Sequence, residues 1–346
     1  MFPYFLMLSP PLFACWVQPV RTRLTLGLAL YFLALLLFMG LRDRTGADWF
    51  GYLNIYSVAN LYTGFDEIEF GKSEQLFVLL NRLSSALGTG VYGVNFVCAL
   101  LFLIGIFAYA RTTVRPWLAI GMVIPYLGYI IGMSGIRQAA AVGIGSFALA
   151  RWTRLSAILK LAMIVFAAEF HTSALFLLVF MVLETSARLW LKALLIAGFV
   201  TLLSNVSAGQ DAIDTYSARY LAKDVVSHGS LAHIALCAVP GALYLVFRKR
   251  LEQAGLSNRL VAIGSVGSIL ALPLSAISST GVDRLVLFFS FVQMWTYPAL
   301  VASFPQSKQT LIGLCVVLIL FIFVVYFTFG LTVVGFVPYR TILFGD

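Results

Sequence analysis

The sequence predicts an all-α integral membrane protein, a polytopic helical bundle of about 11–12 transmembrane helices with interfacial helices in its outer loops. Three observations predict it. Of 346 residues, 61% are hydrophobic and 11% charged, against about 25% charged in a soluble domain, and mean hydropathy is +0.96. The apolar residues come in runs long enough for a hydrocarbon core of roughly 30 Å. The charges punctuate those runs with a bias of sign from side to side. So few polar side chains cannot cover a water-soluble surface, which excludes soluble enzymes, nucleic-acid readers and disordered regulators.

In chain order the apolar runs lie at 4–20, 24–41, 91–110, 116–133, 136–150, 155–170, 172–187, 189–206, 231–247, 260–280, 285–304 and 310–329. Pro10 and Pro11 break the first, which reads as either a kinked helix or an interfacial hairpin. Between the second and third, Leu76, Leu79, Leu80, Leu83 and Leu87 recur at helical spacing. Glu74, Asn81, Arg82, Ser84 and Ser85 fall mostly on other faces, so 70–90 reads as a helix lying in the interface.

With that segment kept out of the membrane, alternation from an inner Arg21–Arg23 turn puts fourteen basic residues and only Glu184 and Glu252 on the inner side, net +12. The outer side holds Arg42, Arg44, Lys72, Arg82, Arg137, Arg219, Lys223, Arg284 and Arg340 against the other twelve acids, net −3. Positive charge therefore marks the inner face and contact with membrane lipid, and implies no nucleic-acid partner. Cys15, Cys98, Cys237 and Cys315 lie singly within apolar spans and read as small core residues. No cleavable signal sequence is evident. The chain reads as one transmembrane domain, 1–346, with outer loops at 42–90 and 207–230.

Polar residues in or beside a membrane are costly, so clusters of them are candidate sites. Arg42-Asp43-Arg44 runs into Asp48, Trp49 and Tyr52. Asp48 suits a sugar hydroxyl or a catalytic proton, and Trp49 and Tyr52 suit stacking on sugar faces; an ion-paired turn with an interfacial aromatic belt fits the same residues. In the second cluster Gly132, Ser134 and Gly135 break one helix, and Arg137 and Gln138 open the next. The span 136–150 is only about 22 Å long at ~1.5 Å per residue, so its outer end should be sunken. A helix start bearing an arginine suits an anion; a snorkelling arginine or one paired to a loop acid fits as well. In the third, Glu169-Phe170-His171-Thr172-Ser173, His171 suits a proton shuttle or a hydrogen bond to a diphosphate, and Glu169 is a candidate salt partner for Arg137. Arg284 after Asp283, the stretch with Tyr216, Arg219 and Tyr220, and the tail Tyr339-Arg340 are further outer candidates. The small residues of 139–145 and 264–268 read as close helix-packing faces. No P-loop, H-E-x-x-H, nucleophile elbow or D-x-D pair is present, so no metal ligand or cofactor is expected.

Taken in order, Gly46-Ala47-Asp48-Trp49-Phe50-Gly51-Tyr52, Ser73-Glu74-Gln75-Leu76-Phe77, Ser134-Gly135-Ile136-Arg137-Gln138-Ala139, His171-Thr172-Ser173-Ala174 and Pro338-Tyr339 resemble the motifs of the EpsG-type family. These are Wzy-like polymerases of bacterial exopolysaccharide and O-antigen. The resemblance spans about 45–340; Gln75 stands where the family pattern commonly has proline. It implies a bundle like that of type C glycosyltransferases, in the bacterial inner membrane. It also implies metal-independent transfer of a glycan, at the periplasmic face, from one polyprenyl-diphosphate-linked repeat unit to another. A chain-length regulator and a flippase are implied as partners. Arg137, with Arg284, would stabilise charge on the leaving diphosphate; Asp48, His171 and Glu74 are the candidate bases. Substrate contacts are expected from Gln138, Trp49, Tyr52, Arg82, Tyr216, Arg219, Tyr220, Tyr339 and Arg340.

Other classes fit parts of this pattern. A flippase or transporter of lipid-linked oligosaccharide needs the same cations, but also polar groups on both sides of the midplane and internal repeats. A membrane acyltransferase would use His171 as base and needs a route for its acyl donor. A structural or regulatory subunit would be indifferent to substitution of Arg137 and His171.

Overall fold

The computed structural model describes residues 1–17, 26–61, 74–185, 188, 190–192 and 229–344. Most of the expected span 189–206, and Tyr216, Arg219 and Tyr220, lie outside the described residues. The helices are α1 (Phe2–Val17), α2 (Leu26–Gly40), α3 (Trp49–Leu61), α4 (Gln75–Ala86), α5 (Gly90–Ala110) and α6 (Pro116–Val123), which continues as a π-helix (Ile124–Ile131). There follow α7 (Ile136–Ala150), α8 (Ala157–Ala168) and α9 (Leu178–Glu184), the last entered through a 3-10 turn (Thr172–Leu177). After the undescribed stretch come α10 (Ser230–Val246), α11 (Arg248–Gln253), α12 (Arg259–Leu274), α13 (Ser279–Val286), α14 (Ser290–Ser303) and α15 (Lys308–Phe329). A two-residue antiparallel ladder joins β1 (Arg42–Asp43) to β2 (Arg340–Thr341) and ties the C-terminal tail to the first loop.

This is an all-α membrane protein. Gly90–Ala110, Ser279–Ser303 and Pro305–Phe329 are long and apolar enough to cross a bilayer by length and composition, and the other apolar helices are shorter.

Pro10 and Pro11 lie inside α1, so of the two readings of this run the helix holds and the hairpin does not. Each lacks the N–H that would bond the carbonyl four residues back, freeing the oxygens of Leu6 and Met7. Ser9 Oγ donates to Leu6 O at 2.8 Å and the Tyr31 hydroxyl to Met7 O at 2.9 Å, so neither oxygen is stranded. The helix runs the depth of the bundle. Near its start, the Tyr4 hydroxyl donates to Phe336 O of the tail; near its end, Arg115 donates to Cys15 O at 2.6 Å.

The side chains gathered at the Arg115 end are those assigned inside from charge alone. Glu184 accepts from Lys160 and from Trp152 Nε1, and Arg250 donates to Ser303 O. At the other end lie Asp48, Glu74, Arg137, His171, Arg284 and the tail. Between them α7 packs backbone to backbone on α5: a Cβ on Gly105 would lie 1.7 Å from Gly143 O, and one on Gly143 2.5 Å from Leu101 O. The small-residue stripe of α7 is therefore a packing face, as its composition suggests.

Two boundaries differ from expectation. The run expected at 260–280 ends at Leu274, just after Pro273, and a new helix begins at Ser279 because Ser278 Oγ accepts from Gly281 N. Asp283 and Arg284 therefore sit near the start of the helical run Ser279–Ser303, which begins six residues before the expected 285. Helix α4 is amphipathic as expected, but it turns Phe77, Asn81 and Ser84 to the protein and leaves Leu83 and Leu87 exposed. Leu76 and Leu80 pack partly on the core, so the leucine stripe turns outward only at its C-terminal end.

Candidate active site

A polar cavity of about 280 Å³ opens at the tail-bearing end of the bundle, lined by Asp48, Gly51, Tyr52, Ile55, Gly135, Arg137, Gln138, His171 and Arg284. Four elements supply it. Asp48, Gly51, Tyr52 and Ile55 fall at i, i+3, i+4 and i+7, one face of α3 and the residue before it. Gly135 is the N-cap of α7 and Arg137 and Gln138 lie in its first turn, His171 caps the 3-10 turn, and Arg284 comes from α13. A Cβ on Gly51 would meet nothing within 4 Å, so this glycine leaves room in the cavity and relieves no clash.

The loop carrying Asp48 is fixed from three directions. Gly46 has φ +119, a region that disfavours side chains, and a Cβ there would lie 2.3 Å from Met133 O. Its N–H donates to Gly335 O at 2.6 Å, and the next N–H, of Ala47, donates to Ser134 Oγ at 2.8 Å. Arg42, placed in the outer loop by the charge count, is 1% exposed and holds the loop from within. Its guanidinium donates to Met39 O, to Thr45 O at 2.8 Å and to Asn95 Oδ1 at 3.2 Å.

Arg137 lies between the rings of Tyr52 and Phe77, 5.9 and 5.6 Å from their centroids, and pairs with Glu74. Its Nε is buried with no hydrogen-bond partner among the described residues. The partner is thus Glu74, not Glu169 as weighed above. Glu169 instead caps α4, accepting from Gln75 N at 3.1 Å through Oε2. That bond needs a backbone N–H at position 75, which a proline there could not give. Glu74 itself lies at the N-cap of α4. It sits at φ 71, a left-handed conformation costly for a side chain, and its carboxylate pairs with Arg137. Burial raises its carboxyl and Arg137 partly offsets the rise.

His171 Nδ1 accepts from Ser173 N at 3.2 Å and lies 2.7 Å from Ser173 Oγ. The neutral ring therefore carries its proton on Nε2. Burial, with Arg284 and Arg137 beside it, pushes its pKa down to about 3. Asp48 keeps accessible surface in the cavity, yet burial raises its carboxyl above the ordinary aspartate value, against the pull of Arg137 and Arg284. Gln138 Nε2 donates to Arg284 O at 2.9 Å and so joins α7 to α13.

A model of the EpsG family matches residues 26–341. The chain belongs to the EpsG family. No curated protein and no solved structure matched it. The stretches that resemble EpsG-type motifs, spread from Asp48 to His171, therefore meet at one cavity through Asp48, Tyr52, Arg137, Gln138 and His171, with Glu74 behind Arg137.

Other expected contacts lie elsewhere. Trp49 is 4% exposed, packed on Tyr92 and beneath Arg42, so its ring offers no face to a sugar. Arg82 donates to Ala59 O, joining α4 to α3. Tyr339 stacks on Phe38 at 4.3 Å and donates to Phe38 O, and Arg340 is an exposed ladder residue. None of the four lines the cavity. Sequence reasoning missed Gly51 and Ile55, although their spacing from Asp48 was the available signal.

Proposed function

We propose that this EpsG-family protein is a polysaccharide polymerase, a metal-independent glycosyltransferase joining polyprenyl-diphosphate-linked oligosaccharide repeat units at the periplasmic face of the bacterial inner membrane. The observation that carries the reading is the cavity: two arginines, one carboxylate and one neutral imidazole meet at the bundle end opposite the basic fringe. In the reaction the acceptor hydroxyl oxygen attacks the anomeric carbon of the donor glycan. The bond from that carbon to the diphosphate oxygen breaks, and the lipid diphosphate leaves with the electron pair. Arg137 and Arg284 meet the charge that grows on the diphosphate. Asp48 takes the acceptor proton, its raised carboxyl making it a better base than an ordinary aspartate. His171 is so weak a base that we assign it a different role, donating from Nε2–H to a phosphate or sugar oxygen.

The family supports a membrane protein of polysaccharide assembly, and the grouped cations support a diphosphate leaving group rather than an acyl donor. Arg137→Ala should lower polymer formation on the order of 10²- to 10³-fold while the protein still inserts, with single lipid-linked repeat units accumulating. Arg137→Lys should retain part of the activity, since it keeps the charge and loses the fork. Full-length polymer from inserted Arg137→Ala would refute the assignment.

A further inference from the structure

Beside the cavity, three more polar side chains are joined. His233, in the first turn of α10, places Nδ1 2.8 Å from Asp283 Oδ1, and its Nε2 meets the hydroxyl of Tyr326 near the end of α15. Tyr126, from the π-helix, stacks on the imidazole with ring centroids 4.3 Å apart. A carboxylate only accepts, so Nδ1 donates to Asp283, and in the neutral ring Nε2 accepts from the Tyr326 hydroxyl. None of these side chains lines the cavity.

Asp283 immediately precedes Arg284, which does line it. Successive helical residues point ~100° apart around the axis, so a bond that fixes the direction of Asp283 fixes that of Arg284. Helix α13 depends on such a bond. It opens the continuous helical run Ser279–Ser303 and buries no residue ahead of Val286, so apolar packing holds its first turns, where Asp283 and Arg284 lie, only weakly. Gln138, on the carbonyl of Arg284, provides a second tie, to α7. An imidazole clamped between a carboxylate and a hydroxyl, and stacked on a ring, has one orientation.

We propose that His233, with Asp283 and Tyr326, is a positioning unit that holds Arg284 in the cavity wall to receive the diphosphate of the lipid-linked substrate. This rests on the diphosphate reading of the cavity. His233 and Tyr326 act through Asp283 and touch no reacting atom.

The test is binding of farnesyl diphosphate to the purified full-length protein in detergent, by titration calorimetry. His233→Ala and Arg284→Ala should each raise Kd by roughly tenfold or more. The double variant should bind no more weakly than Arg284→Ala alone, because the two side chains act through one contact. His233→Asn should recover most of the affinity, its amide N–H standing in for Nδ1–H. A His233→Ala loss that persists undiminished in the Arg284→Ala background, no loss at all, or no recovery with asparagine would overturn the proposal. If Arg284→Ala binds as well as wild type, Arg284 is not a diphosphate ligand and the positioning role falls with it. If binding behaves as described but the wild type makes no polymer, the polymerase reading fails and the positioning unit stands.

Discussion

Asp48 and His171 are both shifted by burial, in opposite directions along the pH scale, and their linkage to folding has opposite sign. The folded carboxyl of Asp48 titrates above its unfolded value, so the native state holds more protons in that window. Asp48 therefore subtracts stability as pH rises through it. His171 titrates at about 3 when folded and near 6.5 when unfolded, so the unfolded chain holds more protons between those values. Stability is lost as pH falls from 6.5 toward 3. Two outcomes follow for the rate. Asp48→Asn should lower it on the order of 10²- to 10⁴-fold while raising the thermal unfolding temperature, as expected when a catalytic charge is held at a cost to the fold. In the wild type, activity should fall with acid as Asp48 protonates, and His171→Asn should lower the rate without altering that profile. A pH-rate profile whose acid limb disappears in His171→Asn, with Asp48→Asn still active, would reverse the two roles. The identity of these residues was legible because a carboxylate, an arginine and a histidine beside apolar spans stand out. Their protonation was not, because it depends on distances between elements far apart in sequence.

Among the elements, α3 does most to shape the cavity. Its face from Asp48 through Gly51 and Tyr52 to Ile55 follows helical spacing, so the face could be read once Asp48 was chosen. What could not be read is that Trp49, one residue on, turns inward against Tyr92 and beneath Arg42. A ring of that size is equally at home in a core and on a sugar, and local pattern does not choose between them. Gly51 makes the element testable: since a Cβ there meets no atom within 4 Å, Gly51→Leu should leave expression and unfolding temperature within the range of ordinary surface substitutions. It should still lower polymer formation at least tenfold by occupying the cavity. An inserted Gly51→Leu with wild-type activity would mean that substrate does not use this space. The prolines of α1 teach the reverse lesson. Their pattern signals a break, and only tertiary partners, Ser9 and Tyr31, keep the helix whole.

At the scale of the molecule, sequence charge alone sorted the two ends, because the cost of moving charge through lipid acts on composition directly. The helical boundaries at 91–110, 136–150 and 310–329 were legible for the same reason: apolar runs ended by charge or glycine leave little choice. The pairing of Arg137 with Glu74, the capping of α4 by Glu169 and the clamp of His233 on Asp283 were not, since each joins residues at least fifty positions apart. Those long-range polar ties all cluster at the end that carries the cavity, where Arg137 and Arg284 line its wall. The most direct measurement is to incubate the purified protein, without nucleotide-sugar, with the lipid-linked repeat unit of its host and to separate the products by size. The account predicts a ladder of repeat-unit multiples with release of lipid diphosphate. No ladder from folded protein, together with movement of the lipid-linked unit across a vesicle bilayer, would contradict it and identify a transporter.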